Sequence, residues 1–256
     1  MRLHLIEFHE QNWVPQVLRR GVTDYLKAAN EVAGYDNMIL PLLKQRLQDS
    51  GQTKILDMGS GAGGAWEKLF PKLQAEMEQP VRVTLSDANP RIDAWKRLQA
   101  ELGDGLDFNP ESVDARSTSA RGLRTMFNLF HHFQPNDARA ILQDAADQQQ
   151  PILIVETLEK GFIQGLMIFL LAPIMTLFLT PMIRPFRWWR ILFTYLIPIL
   201  PLMIAWDGLV SIIRIHDESS MKKWTQEIGG MDWSVGGIRQ KNLYILYLSG
   251  APKSGS

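Results

Sequence analysis

No cysteine occurs in the 256 residues, which excludes disulfides, thiolate-held zinc and a thiol nucleophile. Neither sign of charge is in excess, since 27 Lys and Arg stand against 27 Asp and Glu. A broad basic surface needs such an excess, so no nucleic-acid partner is expected. The opening Met-Arg-Leu-His-Leu-Ile-Glu-Phe-His-Glu has no long apolar core, and no secretory signal is read in it. The expectation is a cytoplasmic protein. Its length suffices for one α/β domain with a sizeable core plus an addition.

What the chain does have is a cluster of four glycines among its 19. Residues 54–64 read Lys-Ile-Leu-Asp-Met-Gly-Ser-Gly-Ala-Gly-Gly, and a helical stretch begins just after them. A strand, a glycine turn and a helix let the backbone pass close to a ligand, because no Cβ intervenes. The helix start adds free N–H groups and a positive dipole end. This is a cradle for a nucleotide-type cofactor.

From there strands and helices alternate. Strands are expected at 55–58, 81–86, 106–108, 124–130 and 152–156, and helices at 64–75, 91–102 and 135–147. Such alternation implies a parallel sheet with right-handed crossovers, and ligands then sit beyond the carboxyl ends of the strands. Asp57, Asp87, Asp114 and His131 fall at those ends. Towards the C-terminus a helix at 219–228 precedes strands at 232–238 and 242–248, whose short connection Arg239-Gln240-Lys241 suits an antiparallel hairpin. Four segments follow: a helical cap at 1–50, a core at 51–157, an insertion at 158–212 and a second core part at 213–256. In the cap, core packing and ligand contact are both open to Tyr25.

Gly59, Gly61 and Gly64 also satisfy G-x-G-x-x-G, with Asp87 ending the next strand, as a dinucleotide site requires. Three features favour S-adenosylmethionine over a nicotinamide: Asp57 ahead of the glycines, the closing hairpin, and no separate catalytic domain after the nucleotide fold. Asp57-Met-Gly59-Ser-Gly61-Ala-Gly63-Gly64, Leu85-Ser-Asp87, Val113-Asp114-Ala115 and Phe127-Asn-Leu-Phe-His-His-Phe133 resemble the successive motifs of class I S-adenosylmethionine-dependent methyltransferases. The resemblance covers roughly 50–157 and 213–250. It implies a Rossmann-like, seven-stranded, mostly parallel sheet with an antiparallel C-terminal hairpin. By the same resemblance Asp57, Gly59, Ser60, Gly61 and Gly63 hold the methionine end of the cofactor. Asp87 accepts the ribose hydroxyls, Asp114 with Ala115 meets the adenine, and Asn128 lines the methyl-transfer face. A carboxylate accepts two hydroxyl hydrogens at once, which suits Asp87. Two rivals stand beside this reading: an NAD-linked oxidoreductase, and a membrane-associated protein that binds S-adenosylmethionine without turnover.

The stretch 161–183 holds no charged residue and is long enough to cross a bilayer, which takes about 20 residues. The stretch 191–206 is also uncharged but short and broken by Pro198 and Pro201, and Arg184-Pro-Phe-Arg-Trp-Trp-Arg190 lies between the two. Three readings compete. A two-span hairpin would put the arginines on the outer side, against the positive-inside preference. A monotopic insertion would set arginine and tryptophan at headgroup level. A lid or dimer interface would need no lipid. The position of the insertion, at the strand edge where the acceptor enters, favours the monotopic reading and an apolar acceptor such as a lipid or quinone-like molecule.

Three residues are candidates for a base: His131, His132 and Asp207. Adjacent histidines at a strand end should point to opposite sides, so at most one is expected to face the pocket. They are not the i, i+4 pair of a helical zinc site, and no metal is expected. Asp207 follows a long uncharged run, so it either pairs with Arg214 or another arginine or faces the acceptor with a raised pKa. His4, His9 and His216 are expected at the surface.

Overall fold

A computed structural model describes residues 5–241 and 243–253, so His4 and Asn242 lie outside the described residues. The chain forms two compact units. One joins the segment up to Gly34 to Leu158–Ile215, and the other joins Tyr35–Thr157 to the chain from His216 onward. The division at Gly34 separates two helices that the sequence groups together at 1–50. These are α1, Gln16–Ala33, and α2, Asp36–Ser50, and α2 belongs to the sheet unit.

The sheet unit contains β1 (Lys54–Met58), α3 (Trp66–Glu76), β2 (Arg82–Ser86), α4 (Ile92–Leu102), β3 (Leu106–Phe108), β4 (Leu123–Phe127), α5 (Pro135–Asp147) and β5 (Ile152–Glu156). The helical unit contributes α6 (Phe162–Leu179), α7 (Trp188–Ile191) and α8 (Ile199–Arg214). The sheet unit then closes with α9 (Glu218–Glu227), β6 (Met231–Gln240) and β7 (Leu243–Pro252).

The strands form one sheet of order β3-β2-β1-β4-β5-β7-β6. The first five are parallel, and β7 runs antiparallel between β5 and β6. Strand order reverses between β1 and β4, and a crevice opens beyond the carboxyl ends of strands at such a point. Burial on both faces explains the composition of the central strands: β5 is Ile-Leu-Ile-Val-Glu, buried throughout. Leu43 and Leu47 of α2 join Trp66, Leu69 and Leu73 of α3 in the sheet unit's apolar core. Arg124, fully buried in β4, is tolerated because Nη1 donates to Asp144 at 2.7 Å and Nη2 to the Thr118 carbonyl at 2.7 Å.

Several boundaries differ from the sequence reading, β7 for one running on to Pro252, and two of them matter most. The fourth strand was expected to reach residue 130, but Asn128 has φ +52°, which takes the backbone out of the extended path. Phe130–His132 then forms a 3-10 turn. Arg239 and Gln240, expected in the hairpin connection, pair with Tyr244 and Leu243 in the ladder, and the Arg239 guanidinium lies 5.0 Å over the Tyr244 ring.

In the helical unit, Leu18, Val22 and Tyr25 of α1 pack with Ala172 and Leu179 of α6 and with Leu200 of α8. Tyr25 is a core residue here. The second apolar leg is not one straight rod: the helices Trp188–Leu196 and Ile199–Arg214 meet at 79°. The helix Phe162–Met182, with mean hydropathy 2.2, is long and apolar enough to cross a membrane.

Candidate functional site

The parallel strands deliver their carboxyl ends to one rim, where the sheet unit gathers its polar side chains. Asp57, one residue before the end of β1, is buried and sits opposite Thr125 of β4 in register. The Thr125 hydroxyl donates to Asp57 Oδ1 at 2.8 Å. Burial pushes the Asp57 carboxyl up to about 6, with hydrogen bonds from Ser60 and Thr125 pulling the other way. The Asp57 backbone carbonyl accepts from the hydroxyls of Ser60, at 2.9 Å, and Ser86, at 2.8 Å, which ties the turn to the end of β2.

The turn needs its glycines for two different reasons. Gly59, Gly61 and Gly63 all have positive φ, at +68°, +54° and +78°. A Cβ on Gly59 would stand 2.0 Å from Leu129, so the turn closes against the loop after β4. A Cβ on Gly61 would meet no protein atom within 4 Å. That position is a bare backbone surface for a ligand to approach.

Asp87 is half-buried beside the turn. Its Oδ2 accepts from Gly61 N at 2.9 Å and its Oδ1 from Asn89 N at 2.8 Å, which fixes the carboxylate. A carboxylate has about four acceptor positions, so capacity remains for a pair of hydroxyls. Val113 N donates to the Asp87 carbonyl at 3.0 Å, bringing the 113–115 segment alongside. Ala115 is buried there, but the Asp114 carboxylate is turned to solvent and held by the Arg116 guanidinium, which also grips Asp137. The hydrogen bonds from Arg116 hold the Asp114 carboxyl below its ordinary value. Asp114 is thus engaged in an exposed ion pair.

Beyond β4, Asn128 N donates to the Val155 carbonyl, and its Oδ1 accepts from both the amide and hydroxyl of Thr157, at 2.7 and 2.9 Å. Its side-chain oxygen therefore joins the ends of β4 and β5. The two histidines do not diverge as expected: the 3-10 turn lays their rings side by side, centroids 4.1 Å apart. His131 is buried, and its Nδ1 lies 2.7 Å from Glu156 Oε2 while its backbone N donates to Glu156 Oε1 at 3.0 Å. Burial alone would raise Glu156, but His131 more than offsets it and holds the carboxyl below its ordinary value. Glu156 is the residue of this rim that the sequence reading did not single out. Its signal was a carboxylate ending an otherwise apolar, buried strand.

His216 is another correction, being buried rather than at the surface. Its ring lies between Phe130 and Trp224, and Nε2 lies 3.1 Å from the Phe133 carbonyl. It braces the turn that carries the two histidines.

Asp207 lies in the helical unit, where it accepts from Phe8 N at 2.7 Å and His9 N at 3.1 Å and meets His9 Nδ1 at 3.0 Å. Arg214, its expected partner, instead holds Glu7 and Glu10. Both oxygens of Asp207 are committed to the N-terminal segment, so it acts here as a clasp. His9, expected at the surface, is only partly exposed.

No family model matches the chain. A stretch of 79 residues is 30% identical to the non-reducing polyketide synthase tazA of Aspergillus terreus, covering 31% of this chain and 3% of that protein. Among solved structures, magnesium protoporphyrin IX methyltransferase from Synechocystis with bound SAH is similar at TM-score 0.50 and 14% identity, covering 86% of this chain and 84% of that one. The same Synechocystis enzyme with bound SAM gives TM-score 0.50 at 12% identity, covering 86% and 81%. Human N-acetylserotonin methyltransferase in complex with SAM gives TM-score 0.51 at 11% identity, covering 89% of this chain and 54% of that one. At such identities the likeness speaks for the fold. Together with the strand order and the closing hairpin, it shows that this chain has the fold of the class I S-adenosylmethionine-dependent methyltransferases.

Proposed function

We propose that the protein is an S-adenosylmethionine-dependent methyltransferase whose acceptor is an apolar molecule met at a membrane surface. One observation carries the cofactor half: the open backbone at Gly61 and the fixed Asp87 carboxylate adjoin each other at the strand-order reversal. This pairs a close-approach surface with an acceptor for two hydroxyls. Asp57, Gly59, Ser60, Gly61 and Gly63 would hold the amino-acid end of the cofactor and Asp87 its ribose. The 113–115 segment would flank the base through Ala115, and Asn128 would line the transfer face. When bound, the cofactor supplies a methyl group on a sulfonium, open to displacement by a nucleophile.

The chain's own part is to bind, orient and move a proton. Glu156, against Nδ1 at 2.7 Å, orients the His131 ring and makes it the first candidate for a base. A hydroxyl acceptor would give its proton to this imidazole as it attacks the methyl, and the buried Glu156 carboxylate would stabilise the imidazolium. His132, whose ring lies beside that of His131, is the second candidate for this role. Holding donor and acceptor in line supplies much of the remaining acceleration.

The apolar acceptor and the membrane rest on the helical unit. Phe162, Phe178 and Trp188 of its insertion are 85%, 69% and 77% exposed. Contiguous apolar patches on monomers rarely exceed roughly 300–600 Å² without a partner. The test is incubation of the protein with methyl-labelled donor and a lipid extract, followed by mass identification of the product. Label in an apolar species supports the proposal; binding of donor without any labelled product refutes turnover.

A further inference from the structure

Most of the circumference of α6 is exposed and apolar, Phe162, Leu166, Ile174 and Phe178 included, and only a narrow seam is covered. Along α6 the seam Gly165, Ala172, Thr176 and Leu179 is buried, while Ile163, Leu170 and Leu177 are exposed. Gly165 lets α8 approach closely, since a Cβ there would stand 3.2 Å from Leu209. The charges on this segment are of one sign. From Lys160 to Trp206 every charged residue is basic, namely Lys160, Arg184, Arg187 and Arg190, in a chain whose net charge is zero.

Arg190 decides the orientation. It is buried, and its guanidinium pairs with Asp24 of α1 at 2.7 Å while donating to the carbonyls of Ile183 and Pro185. The turn at the far end of α6 is thereby tied to the middle of α1. That helix also carries Arg19, Arg20, Lys27 and Glu31. If α6 crossed a bilayer, its far end would draw α1 and these charges into hydrocarbon, where ionised side chains are costly.

We infer that α6 lies in the plane of one anionic leaflet, with its exposed stripe in the acyl region and Lys160, Arg184 and Arg187 among the lipid phosphates. The basic bias favours lipid over a second copy of the chain, because pairing two such faces would bring like charges together. Trp188, 77% exposed beside Arg187, sits where an aromatic ring suits the headgroup boundary. The inference deepens the membrane half of the proposed function and rests on it.

The absence of cysteine makes the test direct. Ile163→Cys, Leu170→Cys and Leu177→Cys place single labels on one stripe, seven residues apart. Each labelled protein is mixed with phosphatidylserine-containing vesicles, and depth is read by quenchers fixed at known positions in the lipid. Equal depth at all three supports the in-plane arrangement. A gradient of about 21 Å from the first to the last label overturns it while leaving membrane binding intact. Failure to float with vesicles, with labels shielded in a dimer, overturns both this inference and the membrane reading. Arg184→Glu with Arg187→Glu, on exposed side chains, should weaken partitioning on the order of tenfold or more. An unchanged partition would refute the anionic-lipid component.

Discussion

His131 and Glu156 are joined twice, backbone amide to one carboxylate oxygen at 3.0 Å and ring Nδ1 to the other at 2.7 Å. Glu156 ends β5 and His131 lies in the 3-10 turn that follows the neighbouring parallel strand β4, so the pair fastens the rim of the sheet and sets the imidazole's orientation at the same point. Its two roles separate experimentally.

Glu156→Gln should lower methyl transfer about 10- to 100-fold and displace the pH–rate profile, with donor affinity little changed. His131→Ala should cost about 100-fold or more, as for loss of a general base. A purely structural pair would lower activity without moving the profile.

The same pair predicts an acid-labile fold. Glu156 sits below its ordinary value of 4.5 when folded, so its stabilisation is complete above that pH and lost as pH falls through the folded value. Removing one partner of a buried pair costs about 3–5 kcal/mol. Denaturant unfolding against pH should show stability dropping below about 4.5 in the native chain, and a flatter acid limb in Glu156→Gln.

Asp57 has the opposite sign. Its carboxyl is raised from 3.8 to about 6, so the stability it confers is present below 3.8 and lost as pH rises through 6. The full effect is on the order of 3 kcal/mol. Asp57→Asn should remove that part of the pH dependence, as read by unfolding at intervals between those values.

Leu43→Ala and Leu47→Ala test whether α2 belongs to the sheet unit. Both side chains are buried in that unit's core, so each change should destabilise it by about 2–5 kcal/mol. If α2 were a detached cap, the sheet's cooperative unfolding would not move.

Much of the sheet was legible because its signals are local. The Val-, Ile- and Leu-rich strands, the glycines after Asp57 and the proline opening α5 each specify their own element. The terminal hairpin, too, was readable from two strand-like runs and a short connection. What escaped depends on backbone or tertiary detail. The left-handed turn at Asn128 cut the fourth strand short and set two histidine rings side by side, contrary to strand alternation. The Glu156–His131 bond joins residues 25 apart in sequence. The same holds for Asp207, whose partners at Phe8 and His9 are about 200 residues away, with no periodicity to announce them. Asp114 was expected to meet the adenine, and Arg116, two residues on, takes its carboxylate.

The central claim is that a sulfonium cofactor lies on the glycine turn with its sugar held by Asp87. Calorimetric titration with S-adenosylmethionine and its demethylated product tests this most directly. Saturable heat is expected with both. Asp87→Ala should weaken this at least 100-fold, as expected when two hydrogen bonds to a charged group, each worth about 1.5–3 kcal/mol, are lost, while the variant unfolds as the native chain does. No heat with either ligand, alongside saturable heat with a nicotinamide dinucleotide, would contradict it.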